Sequence, residues 1–128
     1  MSLTTPLRQV LGAGPARSGV QHWWRQRLTS LALVPLSIWF AVSLLALPSL
    51  DHAIVVRWLA QSSSALWLVL FVLIGAWHSQ LGLRVIIEDY VHGAGAKTLL
   101  LVLVGFAHVL IGAAGVFAIL KITLGGAA

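Results

Sequence analysis

The chain has 128 residues, of which 59% are hydrophobic and 9% charged, and its mean hydropathy is +0.98. Soluble domains run near ~45–50% apolar and ~25% charged, so the composition excludes a water-soluble globule. No cysteine is present, which removes disulfides, thiolate metal sites and a cysteine nucleophile from consideration. The three acids, Asp51, Glu88 and Asp89, leave little for a carboxylate-based active site. The formal net charge of +5 comes from basic residues that flank apolar stretches. That pattern points to lipid headgroups and topology rather than to nucleic acid.

Residues 1–27 are polar, contain Gly and Arg, and lack acids. They read as a solvated cytoplasmic arm of a bacterial protein, with a mitochondrial presequence as the alternative. The apolar run that follows is too long and too far from the start for a cleaved signal peptide. A bilayer core about 30 Å thick needs roughly 20 apolar residues of helix. Three uncharged stretches meet that length, at 28–47, 62–83 and 98–120, and predict an all-α membrane protein with three transmembrane helices. Pro35 falls inside the first and should kink it or free a carbonyl for a neighbouring helix. The connectors are short, and no internal repeat is visible. Arg8, Arg17, Arg25, Arg27, Arg84 and Lys97 fall on one side of this arrangement, Arg57 and Lys121 on the other. The positive-inside rule then places the N-terminus in the cytoplasm and the C-terminus outside.

An ionisable group inside a bilayer is costly and is a functional candidate by default. The spans hold two, His78 and His108. His78 lies about 7–8 Å inside the cytoplasmic edge of the core at ~1.5 Å per residue. Its helical face also carries Trp67, Phe71, Gly75, Gly82 and Val85. Glycine on both sides of the imidazole makes a groove for a close-packed helix or for a flat ligand such as a porphyrin, whose iron takes a neutral imidazole. His108 repeats the Gly-x2-His-x3-Gly pattern with Gly105 and Gly112, and Gly115 follows on the same face. The two histidines could ligate one haem from both sides, or one could be a ligand and the other structural.

At the cytoplasmic end of the second span, Arg84-Val-Ile-Ile-Glu-Asp-Tyr90-Val-His92 gathers a base, two acids, a phenol and an imidazole before Gly93 and Gly95, which are expected to break the helix. It reads as a solvated helix end with an interfacial tyrosine, or as a polar pocket at headgroup level. In the pocket, Tyr90 would hydrogen-bond a lipophilic carbonyl compound while Asp89 or His92 relays protons. Ahead of the first span, His22-Trp-Trp-Arg25-Gln-Arg27-Leu-Thr29-Ser30 combines aromatic anchors with snorkelling arginines. Beside a haem, Arg27 or Arg25 could neutralise propionates.

Taken together, the three spans, the approach His22-x3-Gln26-Arg27-x-Thr29 and the pairing of His78 with Asp89-Tyr90 twelve residues on resemble the hydrophobic membrane anchor subunit of succinate dehydrogenase, the smaller anchor of respiratory complex II. The most specific stretch is His78-Ser-Gln-Leu-Gly-Leu-Arg-Val-Ile-Ile-Glu-Asp-Tyr90-Val, and the likeness runs from about Gly19 onward. The resemblance implies that His78 is an axial ligand of haem b, with the second ligand supplied by a partner cytochrome b anchor that is also three-helical. It implies that Tyr90 hydrogen-bonds ubiquinone, with Asp89 beside it, and that Arg27, or failing it Arg25, lies at the haem propionates and the quinone mouth. His108 matches nothing in the family pattern and is left structural.

On the same resemblance, FAD and the iron–sulfur clusters belong to a flavoprotein subunit and an iron–sulfur subunit. This chain is then a non-catalytic anchor in the bacterial inner membrane. Rival readings are an anchor of a fumarate reductase, a haem-free scaffold whose histidines only bond helices, and a proton-coupled transporter. The last is disfavoured because no acid lies within a span.

Overall fold

The computed structural model describes residues 16–125, and these form four helices and no strand: α1 (Ala16–Leu45), α2 (His52–Ala60), α3 (Ser62–Tyr90) and α4 (Ala94–Leu124). Three of them, α1, α3 and α4, are long and apolar enough to cross a membrane. α3 and α4 each contain one of the predicted apolar stretches and extend beyond it, while α1 begins well ahead of the first stretch and ends two residues short of its end, at Leu45. At ~1.5 Å per residue, the 30, 29 and 31 residues of these helices reach ~44–47 Å. That length covers the bilayer core and a headgroup layer. Residues 16–27 of the segment read as an arm are the first turns of α1. Arg8 and residues 1–15 as a whole lie outside the described residues. Pro35 sits within α1 without ending it.

One element is added and one local expectation is corrected. The connector between the first two spans contains α2. Asp51 stands at its N-cap in an extended conformation, and its carbonyl accepts from the amides of Ile54 and Val55 at 3.0 Å. Ile54, Val55, Trp58 and Leu59 then recur at helical spacing, a one-sided apolar face too short for a span to be suspected. Gln61 alone separates α2 from α3. At the other end, Gly93 does interrupt the chain, but Gly95 lies inside α4. Glycine inside a helix costs about 1 kcal/mol against alanine, which packing and capping readily offset. One such cap is Lys97, whose Nζ donates to the Glu88 carbonyl at 2.8 Å across the three-residue turn. A cation there also suits the negative end of α3.

α3 is the central helix. α1, α2 and α4 all pack on it, α2 also packs on α4, and among the described residues α1 and α4 do not meet. Burial concentrates at the α2 end, where Trp58, Ala65, Leu68 and Ile119 form a core with Trp39 and Phe40 against it. Trp39 stacks on Trp58 (centroids 6.1 Å apart) and Phe40 on Phe71 (5.1 Å). Such pairs contribute ~0.5–1.5 kcal/mol each beyond area burial. Most other large apolar side chains are exposed, as lipid-facing or partner-facing surfaces require.

α4 closes on α3 through its small residues. A Cβ at Gly105 would lie 3.5 Å from Gln80 Nε2, and one at Gly112 3.8 Å from Ala76 Cβ. At Gly115 it would lie 2.7 Å from Val72 Cγ1, which no real contact sustains. Val72 is stiff at χ1 and cannot turn aside. Gly115→Ala should therefore force α3 and α4 apart and cost ~1–3 kcal/mol. Gly112→Ala should be tolerated. Thermal denaturation of the purified assembly, with the two variants side by side, checks this: only the first should lower the midpoint.

Candidate functional site

His22, Gln26 and Thr29 stand at i, i+4 and i+7 of α1, which places them on one stripe of the helix. That stripe faces α3 where His78 projects. The Thr29 hydroxyl, on a side chain only 5% exposed, lies 2.9 Å from Nδ1 of His78. The Gln26 amide nitrogen lies 3.5 Å from its Nε2, long for a hydrogen bond. Among the described residues, Gln26 Oε1 and His22 Nε2 are buried without a hydrogen-bond partner. A buried unsatisfied polar atom costs ~1–3 kcal/mol, so two on one stripe mark a place where the described residues do not complete the site.

The glycines beside His78 have different fates. A Cβ at Gly82 would come 3.8 Å from Gln26 Nε2, so α1 fills that notch. A Cβ at Gly75 would meet nothing within 4 Å. The slot next to the imidazole is therefore closed on one side and open on the other.

These residues fit one nitrogen ligand of the haem that the sequence resemblance implies. The imidazole is half-buried, its Nε2 has only a long contact, a bare glycine flanks it, and unsatisfied amide and imidazole atoms lie alongside. They do not fit two ligands from this chain. His108 Nδ1 donates to the Val104 carbonyl at 2.8 Å, and its Nε2 lies 3.2 Å from the Ser79 hydroxyl. His78 thus engages α1, while His108 engages its own helix and Ser79. The matching Gly-x2-His-x3-Gly patterns serve different ends, since the glycines around His108 face α3 directly.

The remaining predicted residues lie toward the same end of the bundle but do not converge. Arg27 is exposed, with its guanidinium carbon 5.3 Å from the centroid of the Trp23 ring. Arg25 is exposed as well, and its carbonyl accepts from Thr29. Arg84 pairs with Glu88 at 2.7 Å. Being surface i,i+4 partners, they add only ~0.3–0.5 kcal/mol. Asp89 and His92 are exposed, and Tyr90 is 77% exposed. Tyr90 stands twelve residues past His78, about 18 Å along the α3 axis and a third of a turn around it. Within this chain the tyrosine and the histidine do not share a pocket.

Thr29, Gln26 and Ser79 are the partners that reading the sequence for ligands did not assign. For the first two, the i, i+4, i+7 spacing with His22 was the available signal. Ser79 had none, because serine in a span is common and its partner is 29 residues away.

The family model for succinate dehydrogenase/fumarate reductase transmembrane subunits matches residues 1–113. The succinate dehydrogenase hydrophobic membrane anchor subunit of Paracoccus denitrificans is 30% identical over 125 residues, covering 98% of this chain and 96% of that one. The subunit of the same name from Rickettsia conorii is 33% identical over 93 residues, 72% of this chain and 74% of its own. The succinate dehydrogenase membrane anchor subunit of Reclinomonas americana is 34% identical over 82 residues, 60% and 67% respectively. No solved structure matches.

The His108–Ser79 contact should carry a coupling energy of about 0.6 kcal/mol, the usual size for hydrogen bonds between spanning helices. A double-mutant cycle with Ser79→Ala and His108→Phe, read by denaturant unfolding of the assembly, measures it. Strict additivity would show that the contact does not hold α3 to α4.

Proposed function

The chain belongs to the succinate dehydrogenase/fumarate reductase transmembrane subunit family, and from that premise we propose that it anchors a succinate:ubiquinone oxidoreductase and helps form the site where electrons reach the quinone. It is a multi-pass membrane protein. The observation that carries the proposal is the polar seam between α1 and α3. There a half-buried intramembrane imidazole sits beside an open glycine notch and two unsatisfied buried polar atoms.

In this reading His78 would supply one nitrogen ligand to haem b, and a partner cytochrome b anchor the second, since His108 is already engaged on both ring nitrogens. The haem, when bound, would supply a one-electron store. Arg27 leaves the Trp23 face to neutralise propionates or to line the quinone mouth. Tyr90 donates its hydroxyl proton to a quinone carbonyl, whose oxygen becomes more basic as electrons arrive. Asp89 or His92, exposed beside it, passes protons to the reduced oxygens. The iron–sulfur subunit docks over the exposed Tyr90 end and delivers the electrons. Succinate oxidation at FAD belongs to the flavoprotein subunit, and this chain carries no dehydrogenase site. In this reading the end that carries Arg25, Arg27, Arg84 and Lys97 faces the cytoplasm by the positive-inside rule, with the helices in a bacterial inner membrane and the mitochondrial inner membrane as the alternative. The family description also names fumarate reductase, which would run the same arrangement in reverse.

A reduced-minus-oxidised spectrum of the complex purified from its membrane tests the reading. The expected result is a b-type signal reducible by succinate, accompanied by flavin and iron–sulfur subunits. The same partners without haem would leave the anchor role and remove His78 from it. In the variant His78→Ala the haem signal should fall or vanish, and an unchanged spectrum and haem content would overturn the ligand assignment. Tyr90→Phe should slow quinone reduction about tenfold, the equivalent of one hydrogen bond of ~1.4 kcal/mol. Succinate oxidation by a soluble artificial acceptor should stay near normal. Equal loss in both assays would indicate failed assembly instead.

A further inference from the structure

We infer that Thr29 is a positioning residue, which holds His78 in the Nδ1-protonated tautomer and so keeps the Nε2 lone pair available to a metal. The inference rests on the haem reading above and adds to it the part of α1 that sets the ligand's chemistry.

It follows from counting protons. Thr29 Oγ1 lies 2.8 Å from the Arg25 carbonyl, 3.0 Å from the Gln26 carbonyl and 2.9 Å from His78 Nδ1. A carbonyl oxygen has no proton to give, so the single hydroxyl proton must point toward one of the two carbonyls. The Arg25 contact is the shorter of the two, and the Gln26 carbonyl also accepts from Ser30 Oγ at 2.8 Å, so the Thr29 proton is directed to Arg25. With its proton directed there, the hydroxyl can only accept from His78, and Nδ1 must carry a hydrogen. A neutral imidazole has one N–H, so Nε2 is bare. Its neighbour agrees: the Gln26 amide nitrogen, a donor, faces Nε2 at 3.5 Å.

The same count applied to His108 has a different outcome. Its Nδ1–H also goes to a carbonyl, but its bare Nε2 accepts from the Ser79 hydroxyl at 3.2 Å. Of the two intramembrane imidazoles, only His78 combines a fixed tautomer with a weakly held acceptor nitrogen, whose one neighbour is the end of the flexible Gln26 side chain.

Thr29 is well placed for this task. It is 5% exposed, branched at Cβ, and held by its own backbone bond one turn back, so its oxygen is fixed before any ligand arrives. A histidine that binds metal generally donates its other N–H to an acceptor, which orients the ring and raises its basicity. Here the acceptor is a hydroxyl backed by a peptide carbonyl. The added electron donation favours the oxidised iron.

The test uses the whole complex with Thr29→Val, which removes the hydroxyl at nearly constant shape, and Thr29→Ser, which restores it. Haem per flavin after extensive dilution and gel filtration should fall about 10-fold or more with valine, as for loss of an outer-shell partner. In a spectroelectrochemical titration the valine variant should be reduced more easily, with a several-fold higher reduced-to-oxidised ratio at a fixed potential. Serine should return both to the wild-type values. Subunit stoichiometry controls for assembly, and Thr29→Ala replaces the valine variant if that does not assemble.

Wild-type haem retention and titration in the variant lacking the hydroxyl would overturn the inference. So would assembly that fails with valine and alanine but succeeds with serine, because the hydroxyl would then be a folding element. Absence of haem from the wild-type complex, or its persistence in His78→Ala, would instead bring down the haem reading itself. A haem that depends on His78 yet is indifferent to Thr29 removes this inference alone.

Discussion

Within a bilayer a polar side chain has no water to turn to, so its partner must come from its own helix, a neighbouring helix, a bound group or another subunit. The arrangement around His78 follows from that constraint. Thr29 is satisfied by its own backbone and by the imidazole; the imidazole is satisfied on one nitrogen and only loosely on the other. Gln26 Oε1 and His22 Nε2, one and two turns earlier, have no partner among the described residues. The seam thus runs from fully satisfied at Thr29 to unsatisfied toward the start of α1. Any group that completes it arrives from outside the described residues.

α3 makes that asymmetry possible because it is the middle helix. Its faces meet different neighbours, and the two other spanning helices, α1 and α4, do not meet each other among the described residues. Toward α4 the contact is backbone-close, built on Gly105, Gly112 and Gly115 against Gln80, Ala76 and Val72. Toward α1 the contact is aromatic at one end and polar at the other. Two histidines in nearly identical glycine settings therefore have different roles. One has both ring nitrogens engaged at the α3–α4 contact, where it also lines a groove with Trp77, Gln80 and Gly112; the other has one nitrogen held by Thr29 and one only loosely held.

The two ends of the bundle also differ in character. At the α2 end, Trp58, Trp39, Trp67 and Phe40 interlock over a small buried core, and α2 packs on both α3 and α4. At the opposite end the helices run on past the apolar stretches, and Arg27, Asp89, Tyr90 and His92 stand exposed. The aromatic core is concentrated away from the polar seam, while the exposed polar surfaces lie near it. A single chain that carries so much exposed apolar and polar-rim surface is consistent with a subunit of a larger membrane complex.

Length, hydropathy and the scarcity of charge were enough to establish three spanning helices, and the rarity of intramembrane ionisable groups was enough to single out His78 and His108. Those are local properties, set by how much apolar surface a window of residues carries. α2 escaped because nine residues with a one-sided apolar face resemble a connector until Trp58 is seen wedged against Trp39. Gly95 was read as a helix breaker because its intrinsic cost is local, while the turn and cap that offset it are not. The matching glycine patterns could not be told apart along the chain, since a glycine notch is filled or left open by a residue from another helix: Gln26 at Gly82, Val72 at Gly115, nothing at Gly75. The pairing of Thr29 with His78, 49 positions apart, was likewise decided only when α1 came to lie against α3. Periodicity places a side chain on a face, but only packing determines which atom it meets there.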